Sequence, residues 1–326
     1  MENRLDPISV VAHYCGIEVD TARRHYKKKW SAYQEWDQKP HAQHYLLFPE
    51  NLSTHIAIDE VSLTRGELYT IVSSRTSSGR RGKLIAVVAG TKAEDLISVL
   101  CKLPRELRDA VLEVSLDMSN SMRKACEALF IYAKLVTDRF HVVRLCAEAM
   151  QKARIDQRWK EIDRENKSIL KARQAGKGYK VKMFSNGDTP RQLLARSRYI
   201  LYKLPHQWTK SQIVRAATLF QAYPEIEKSY RLHLEFRAIY KGTDRNLAEQ
   251  QLMGWIKKAQ ESENEYFQSV AESLLNHWDN ILNFFNYRST NAHAESLNAQ
   301  IKLFRANLRG VTDTKYFLFR LMKIFA

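Results

Sequence analysis

Two aspartates in this chain of 326 residues stand where an acid has no obvious place. Asp59 ends the run His55-Ile56-Ala57-Ile58, which is too apolar for a surface strand. On a buried central strand, a carboxylate costs free energy unless something positive meets it. Asp117 stands in the same relation to Val114-Ser115-Leu116. Neighbouring strands lie ~4.8 Å apart, so if these two pair, both carboxylates project from one edge. Anionic groups that close either share a proton or hold a divalent cation.

A third acid would complete a metal cage, and the candidate is Glu295, in Thr290-Asn291-Ala292-His293-Ala294-Glu295-Ser296-Leu297-Asn298. Thr290 and Asn291 are good helix N-caps. Leu297, Ile301, Phe304 and Leu308 recur at helical spacing as a buried stripe, while Glu295, Asn298, Lys302 and Arg305 form a polar stripe on another face. Taken alone, the segment reads more simply as a capped helix whose first-turn glutamate suits the helix dipole.

The composition bounds what such a site can serve. Lys and Arg number 52 against 36 Asp and Glu, a net +16, and 44% of residues are hydrophobic. That is a globular composition, and a polyanionic partner is the simplest reason for the charge. With 11 Gly and 7 Pro, collagen and most turn-dense all-β folds are excluded. The apolar run Leu84–Ala89 is far short of the ~18–20 residues that cross a bilayer, and Met1–Pro7 lacks the order of a signal peptide. Cys15, Cys101, Cys126 and Cys146 are scattered, which argues against a disulfide framework or a cysteine zinc site. A cytoplasmic protein with no membrane partner is expected.

The elements that must position these acids follow from the period of the apolar residues. Residues 7–30 read as two short helices about a turn at Gly16, with Asp20-Thr21 capping the second, which carries Arg23, Arg24, Lys27, Lys28 and Lys29. This is either a helix-turn-helix with its cations toward DNA, the reading preferred, or an αα-hairpin with a solvated basic face. Residues 31–45 look like a connector. Three strands follow, His55–Leu63, Glu67–Val72 after a turn at Arg65-Gly66, and Leu84–Ala89 after the basic Arg75–Lys83 stretch. A helix over 92–103, a strand over 111–116, a helix over 119–130 and a strand over 133–137 complete the order β-β-β-α-β-α-β. That order describes a ribonuclease-H-like α+β core with a mixed five-stranded sheet.

From about 142 to 285 only helical periods remain. Residues 151–215 hold 17 Lys and Arg against 5 Asp and Glu, a net +12 of the chain's +16. A solvated helical face interleaves both signs, so this field points to nucleic acid. Trp159, Tyr179, Tyr199, Tyr202 and Trp208 are each expected in the core rather than stacked on bases. Gly176-Lys177-Gly178 and Asn186-Gly187-Asp188 mark loop tips. Three regions result: 1–45 as helix-turn-helix and connector, 46–144 with 286–326 as the catalytic domain, and 145–285 as an all-α basic insertion.

With Thr137-Asp138-Arg139-Phe140-His141 added, the ordered landmarks around Asp59-Glu60, Leu116-Asp117 and Thr290–Asn298, with Ile301-Lys302 and Arg309-Gly310, resemble a DDE transposase of a bacterial insertion sequence. The likeness runs from about 45 to 320, includes Arg191-Gln192-Leu193-Leu194 in the insertion, and is narrowest to the ISL-three group and its ISAon-type branch. It implies Asp59, Asp117 and Glu295 as the catalytic acids holding two Mg²⁺ ions, with Mn²⁺ as a substitute. Asp138, His141 and Asn298 would support them, Asp138 and His141 filling the Asp-x-x-His pattern of several such families. Arg23, Arg24, Lys27, Lys28, Lys302 and Arg305 would hold DNA. Glu60 should point to the opposite face of its strand. The resemblance also implies double-stranded DNA as partner, a homodimer or higher assembly on it, and a nucleoid-associated location. Relatives commonly carry a Cys/His zinc segment ahead of the helix-turn-helix; no such cluster stands here, so either a separate polypeptide supplies it or the element ends are recognised differently. The competing function is a transposase derivative that binds DNA and does no chemistry.

Overall fold

The structure, a computed structural model, describes residues 7–64, 66–75, 82–288, 291–308 and 311–326. Arg65, most of the Arg75–Lys83 stretch, Thr290, Arg309 and Gly310 therefore lie outside the described residues, as does the beginning of the chain through Asp6. In chain order the helices α1 (Ile8–Tyr14) and α2 (Val19–His25) precede the strands β1 (Tyr45–Leu47), β2 (His55–Thr64), β3 (Glu67–Ser74) and β4 (Leu84–Ala89). Helices α3 (Ala93–Leu100) and α4 (Arg105–Asp109), strand β5 (Glu113–Leu116), helix α5 (Asn120–Leu129) and strand β6 (Lys134–Thr137) follow. Then come α6 (Arg139–Gln174), α7 (Pro190–Arg196), α8 (Lys210–Ala222) and α9 (Pro224–Ile239). The chain closes through α10 (Arg245–Gln260), α11 (Glu265–Asn276), α12 (Trp278–Tyr287), α13 (Ala292–Asn307) and α14 (Thr314–Phe325). It divides into two units, one of residues 1–138 with 287–326, the other of 139–286.

In the first unit the sheet has six strands among the described residues, in the order β1-β4-β3-β2-β5-β6. The expected five are all present; the sixth, β1, comes from the end of the supposed connector, pairing antiparallel with β4. That connector is no loose tether, since Tyr33, Trp36 and Ala42 are buried against β1, β2 and β3. β2 runs antiparallel to β3 and parallel to β5, and β5 runs parallel to β6. The Ile56-Ala57-Ile58 run of β2 is apolar on successive residues because both faces of the sheet are covered there. Ile56 and Ile58 pack with Val114 and Leu116 of β5 against α3 and α5. Val61 and Leu63 pack with Leu297, Ile301 and Phe304 of α13 and with α14. Each such buried side chain contributes about 1.5–3 kcal/mol.

The N-terminal helices form a small cluster of Ile8, Ala12, Ala22 and Tyr26, with Tyr316 of α14 packed on it. Gly16 takes the left-handed conformation at the turn, φ +64°, and the Ile17 amide donates to the Ala12 carbonyl, 2.9 Å. The cap of α2 is Glu18 rather than Asp20-Thr21: its carboxylate accepts from the Asp20 and Thr21 amides. Beyond α2 the chain widens into a single π-helical turn at Tyr26–Trp30.

The second unit is helical. α6 continues for 36 residues, burying Val142, Cys146, Met150 and Arg154 along one stripe. Trp255, Phe236 and Phe267 fill the interior beside it. Three of the five rings expected in the core are instead exposed: Trp159 by 60%, Tyr199 by 67% and Tyr202 by 40%. Trp159 falls off the buried stripe of α6, and Tyr199 and Tyr202 flank the buried Ile200 and Leu201 in a short turn. Trp208 is half-buried and stacks on Tyr230, 5.6 Å between centroids.

His233 of α9 is buried, and desolvation, aided by the Arg237 charge, lowers its pKa to about 4. A histidine depressed in the fold contributes stability above its unfolded pKa of ~6.5 and loses it as pH falls toward 4. Urea unfolding of the wild type should therefore lose on the order of 2–3 kcal/mol between pH 7 and pH 4 that His233→Gln does not lose. Parallel pH profiles of the two proteins would remove this account.

Candidate active site

Alternation along the strands decides which acids share a face. Ile56 and Ile58 face α3 and α5, so Ala57 and Asp59 face the side on which α13 lies, and Glu60 points away. β2 and β5 are in register at Ala57 and Ser115, and β5 and β6 at Ser115 and Val136. Continued by two residues, these registers set Asp59, Asp117 and Asp138 in a row across three neighbouring strands. The Asp138 amide still donates to the Leu116 carbonyl, 2.9 Å, which holds the last of the three in the ladder.

Asp59 ends the apolar run but not the strand, since β2 runs on to Thr64, one residue past the expected Leu63. The paired part of β5 stops opposite Ala57, while β3 stays paired beyond it. Asp59 thus sits where β2 loses one neighbour, a position that opens one side of a central strand. It is half-buried.

Helix α13 is tied to two of these three strands, β2 and β5. Asn298, buried, donates its Nδ2 to Asp59 Oδ2, 2.7 Å. The Ser115 hydroxyl of β5, fully buried, donates to Asn291 Oδ1 at the head of the helix. Asn291 occupies the N-cap position, yet its side chain caps nothing. It serves as a tertiary anchor instead, a role that helix-capping statistics do not reveal. Asn291 stood out in the sequence only as a helix cap and Ser115 not at all; a hydroxyl inside an otherwise apolar strand is the one signal that could have found the pair, because a buried polar group needs a partner.

Glu295 lies in the first turn of α13 and is exposed. A carboxylate oxygen of Glu295 and one of Asp138 lie within 4.8 Å of each other. Among the described residues, no cluster of three His, Cys, Asp or Glu ligand atoms within 4.8 Å of one another includes Asp59 or Asp117. The residue that the fold brings to Glu295 is thus Asp138, and Asp59 is held by Asn298 one turn further along the same helix. Asp59 Oδ1 accepts the Glu60 amide, 2.8 Å, and Asp117 Oδ1 accepts the Ser119 amide at the start of α5, 2.7 Å. An ionised carboxylate has about four acceptor sites, so these bonds orient Asp59 and Asp117 and leave room for a cation. His141 belongs to the helical unit as the third residue of α6; it is half-buried, with Nε2 shielded from solvent.

The cations singled out for DNA divide into two groups. Arg23, Arg24, Lys28 and Lys302 are exposed, and Arg23 makes only a solvated pair with Asp20, 3.1 Å, of a kind worth ~0–1 kcal/mol. Lys27 bonds Asp313 and lies over the rings of Tyr33 and Tyr316, each 5.4 Å away. Burial works to raise the Asp313 carboxyl, but the bond from Lys27 and the Tyr316 amide outweigh it and hold it below the usual range. Arg305 is half-buried and donates to the Ser62 carbonyl, 3.2 Å. These two cations secure the π-helical turn after α2, and α13, to their neighbours within the unit.

An α+β protein with a mixed sheet, an acidic row at one sheet edge and a glutamate helix on the same face is the class so defined. Residues 56–321, well over half of the chain and inclusive of Asp59, Asp117, Asp138 and Glu295, match the family model of transposases of the ISL-three group. The chain belongs to this family of DDE transposases. No curated protein matches it. Among the described residues no helix is long and apolar enough to cross a membrane.

Proposed function

We propose that the sheet is a ribonuclease-H-like core and that its acids cleave DNA at the ends of an insertion sequence and join the freed 3′ ends to a target. Asp59, Asp117 and Glu295 are the catalytic acids in this reading, and Asp138 stands with Glu295 as the fourth carboxylate of the site. The observation that carries it is the row Asp59, Asp117, Asp138 facing the helix that bears Glu295, locked by the Asn298–Asp59 and Ser115–Asn291 bonds.

The donor set consists of hard carboxylate oxygens on an open edge, which suits Mg²⁺, or Mn²⁺ in its place. When bound, such a divalent cation raises the nucleophilicity of the attacking oxygen and neutralises the leaving oxygen of a phosphodiester. The protein's own part is placement. The Glu60 and Ser119 amides and Asn298 fix the carboxylates of Asp59 and Asp117 before substrate arrives, and exposed Lys302, seven residues beyond Glu295 on α13, meets a phosphate. In this reading water attacks the phosphodiester at the element end and its 3′-oxygen leaves as a hydroxyl; that hydroxyl then attacks a target phosphodiester and displaces the target's 3′-oxygen, with no covalent protein intermediate. Joining two element ends requires at least two copies on the DNA. The exposed cations Arg23, Arg24 and Lys28 of the helix-turn-helix contact the duplex.

The deciding experiment is a Mn²⁺-dependent nicking and strand-transfer assay with Asp59→Asn beside the wild type. Nicking by the wild type alone supports the assignment, and equal nicking by both proteins ends it.

A further inference from the structure

The helical unit contains a group of arginines that its own acids do not neutralise. Several other arginines of the unit find carboxylates: Arg164 pairs with Glu161, Arg191 with Glu165, and Arg196 and Arg215 with the buried Asp188. Arg154, Arg158 and Arg198 have no carboxylate within 4.0 Å among the described residues. They are nevertheless held together. Arg154 and Arg158 are one turn apart on α6. Gln151 donates to the Arg198 carbonyl, 3.0 Å, and its own side-chain oxygen accepts from Arg154 Nε, 2.7 Å. Arg154 Nη1 donates to the Leu194 carbonyl, 2.8 Å.

The arrangement is graded. Arg154 is 95% buried and forms the floor, Arg158 is half-buried, and Arg198 is exposed at the rim. Arg158 Nε is shielded from solvent and donates to no protein acceptor among the described residues. Desolvation, then the neighbouring charges of Arg158 and Arg198, hold the Arg154 guanidinium below the ordinary arginine range. A buried cation beside two like charges is costly unless an anion meets it. Guanidinium forks match phosphate oxygens in charge and geometry. The exposed ring of Tyr199 lies under Arg198, 5.4 Å from ring centroid to guanidinium carbon, and exposed Tyr202 is one turn beyond.

We propose that Arg154, Arg158 and Arg198 form a phosphodiester-binding site on the helical unit, filled by the backbone of the DNA on which the transposase acts. This rests on the transposase reading for the identity of the anion, and on the arginines alone for the existence of the site.

The test uses the full chain with Arg158→Gln, Arg198→Gln and the double variant; Arg154 is left intact because it is part of the packed floor. At low ionic strength, inorganic phosphate in the tens of millimolar raises the melting temperature of the wild type and leaves the double variant unmoved. Without phosphate the double variant melts no lower than the wild type, because like-charge repulsion is relieved. A merely structural role for these arginines would instead lower its melting temperature, and that result overturns the site. The second arm measures duplex affinity against salt. The slope of log Kd against log salt decreases by about 1 for each phosphate contact removed, and affinity at moderate salt weakens about 3- to 10-fold. A phosphate response with an unchanged slope identifies an adventitious ion only and overturns the DNA assignment. Neither arm requires cleavage, so failure of the Asp59 assay leaves these readouts intact, and their failure leaves that assay standing.

Discussion

Glu295→Gln is expected to reduce metal-dependent DNA nicking by about a thousand-fold or more, with duplex affinity changed by less than about twofold. A loss of that size corresponds to ~4 kcal/mol of transition-state stabilisation, the scale on which a preorganised charged group acts at a reacting phosphate. The amide keeps the shape and hydrogen-bonding reach of the carboxylate and removes its charge. The structure adds a sign that an ordinary surface glutamate would not show. Glu295 and Asp138 hold carboxylate oxygens within 4.8 Å of each other, an arrangement that like charges oppose. Without divalent cation, the Gln variant should therefore melt no lower than the wild type. With Mg²⁺ or Mn²⁺ added, the wild type should gain stability and the variant should not. Undiminished nicking by the variant, or an equal cation response in both proteins, would remove Glu295 from the site.

Asn298→Ala is expected to lower nicking by about 10- to 100-fold, the range seen when a partner that orients a metal-binding side chain is lost. Asn298 is a positioning residue: it acts through Asp59, to whose Oδ2 it donates. Its loss also removes a buried hydrogen bond to a charged acceptor, worth about 1.5–3 kcal/mol, so some fall in stability accompanies the kinetic effect. The divalent-cation dependence separates the two. An Asp59 free to rotate binds cation less well, and the half-saturating Mn²⁺ concentration for nicking should rise several-fold. A variant that melts lower and nicks more slowly at an unchanged Mn²⁺ midpoint would make Asn298 a packing residue only.

Much of the architecture was written in local pattern. Ile56-Ala57-Ile58 is apolar on successive residues because its strand is covered on both faces, and that continuity marked a central strand. Leu297, Ile301 and Phe304 recur at helical spacing because one stripe of α13 meets the sheet. The strand–helix–strand order at 111–137 fixed a parallel pair, and β5 and β6 are parallel. β1 escaped notice because three residues are too few to show a period, and its place in the sheet depends on β4.

The site was legible as a set of acids and not as an arrangement. Residue type and position relative to apolar strands singled out Asp59 and Asp117; Glu295 was a candidate from the polar stripe of its helix, and the resemblance favoured it over a plain first-turn glutamate. Whether Glu295 meets Asp117 or Asp138 depends on strand register and on the rotation of a helix far along the chain. The polar stripe of α13 had looked uniform, yet Asn298 is buried on Asp59, Arg305 clasps a strand carbonyl and Lys302 is exposed. Lys27 was indistinguishable from Lys28 by charge, and only the fold turns it to Asp313.

The sequence by itself determined the chemistry at hand: hard oxygen ligands, a surplus of cations, and alternating elements that make a two-faced sheet. Composition and short-range period are properties of neighbours in the chain, so they survive without a fold. Tertiary structure alone decided which carboxylates face one another and which cations are consumed by internal bonds. Those outcomes arise from contacts between residues remote in sequence, set by register and packing that no local pattern encodes.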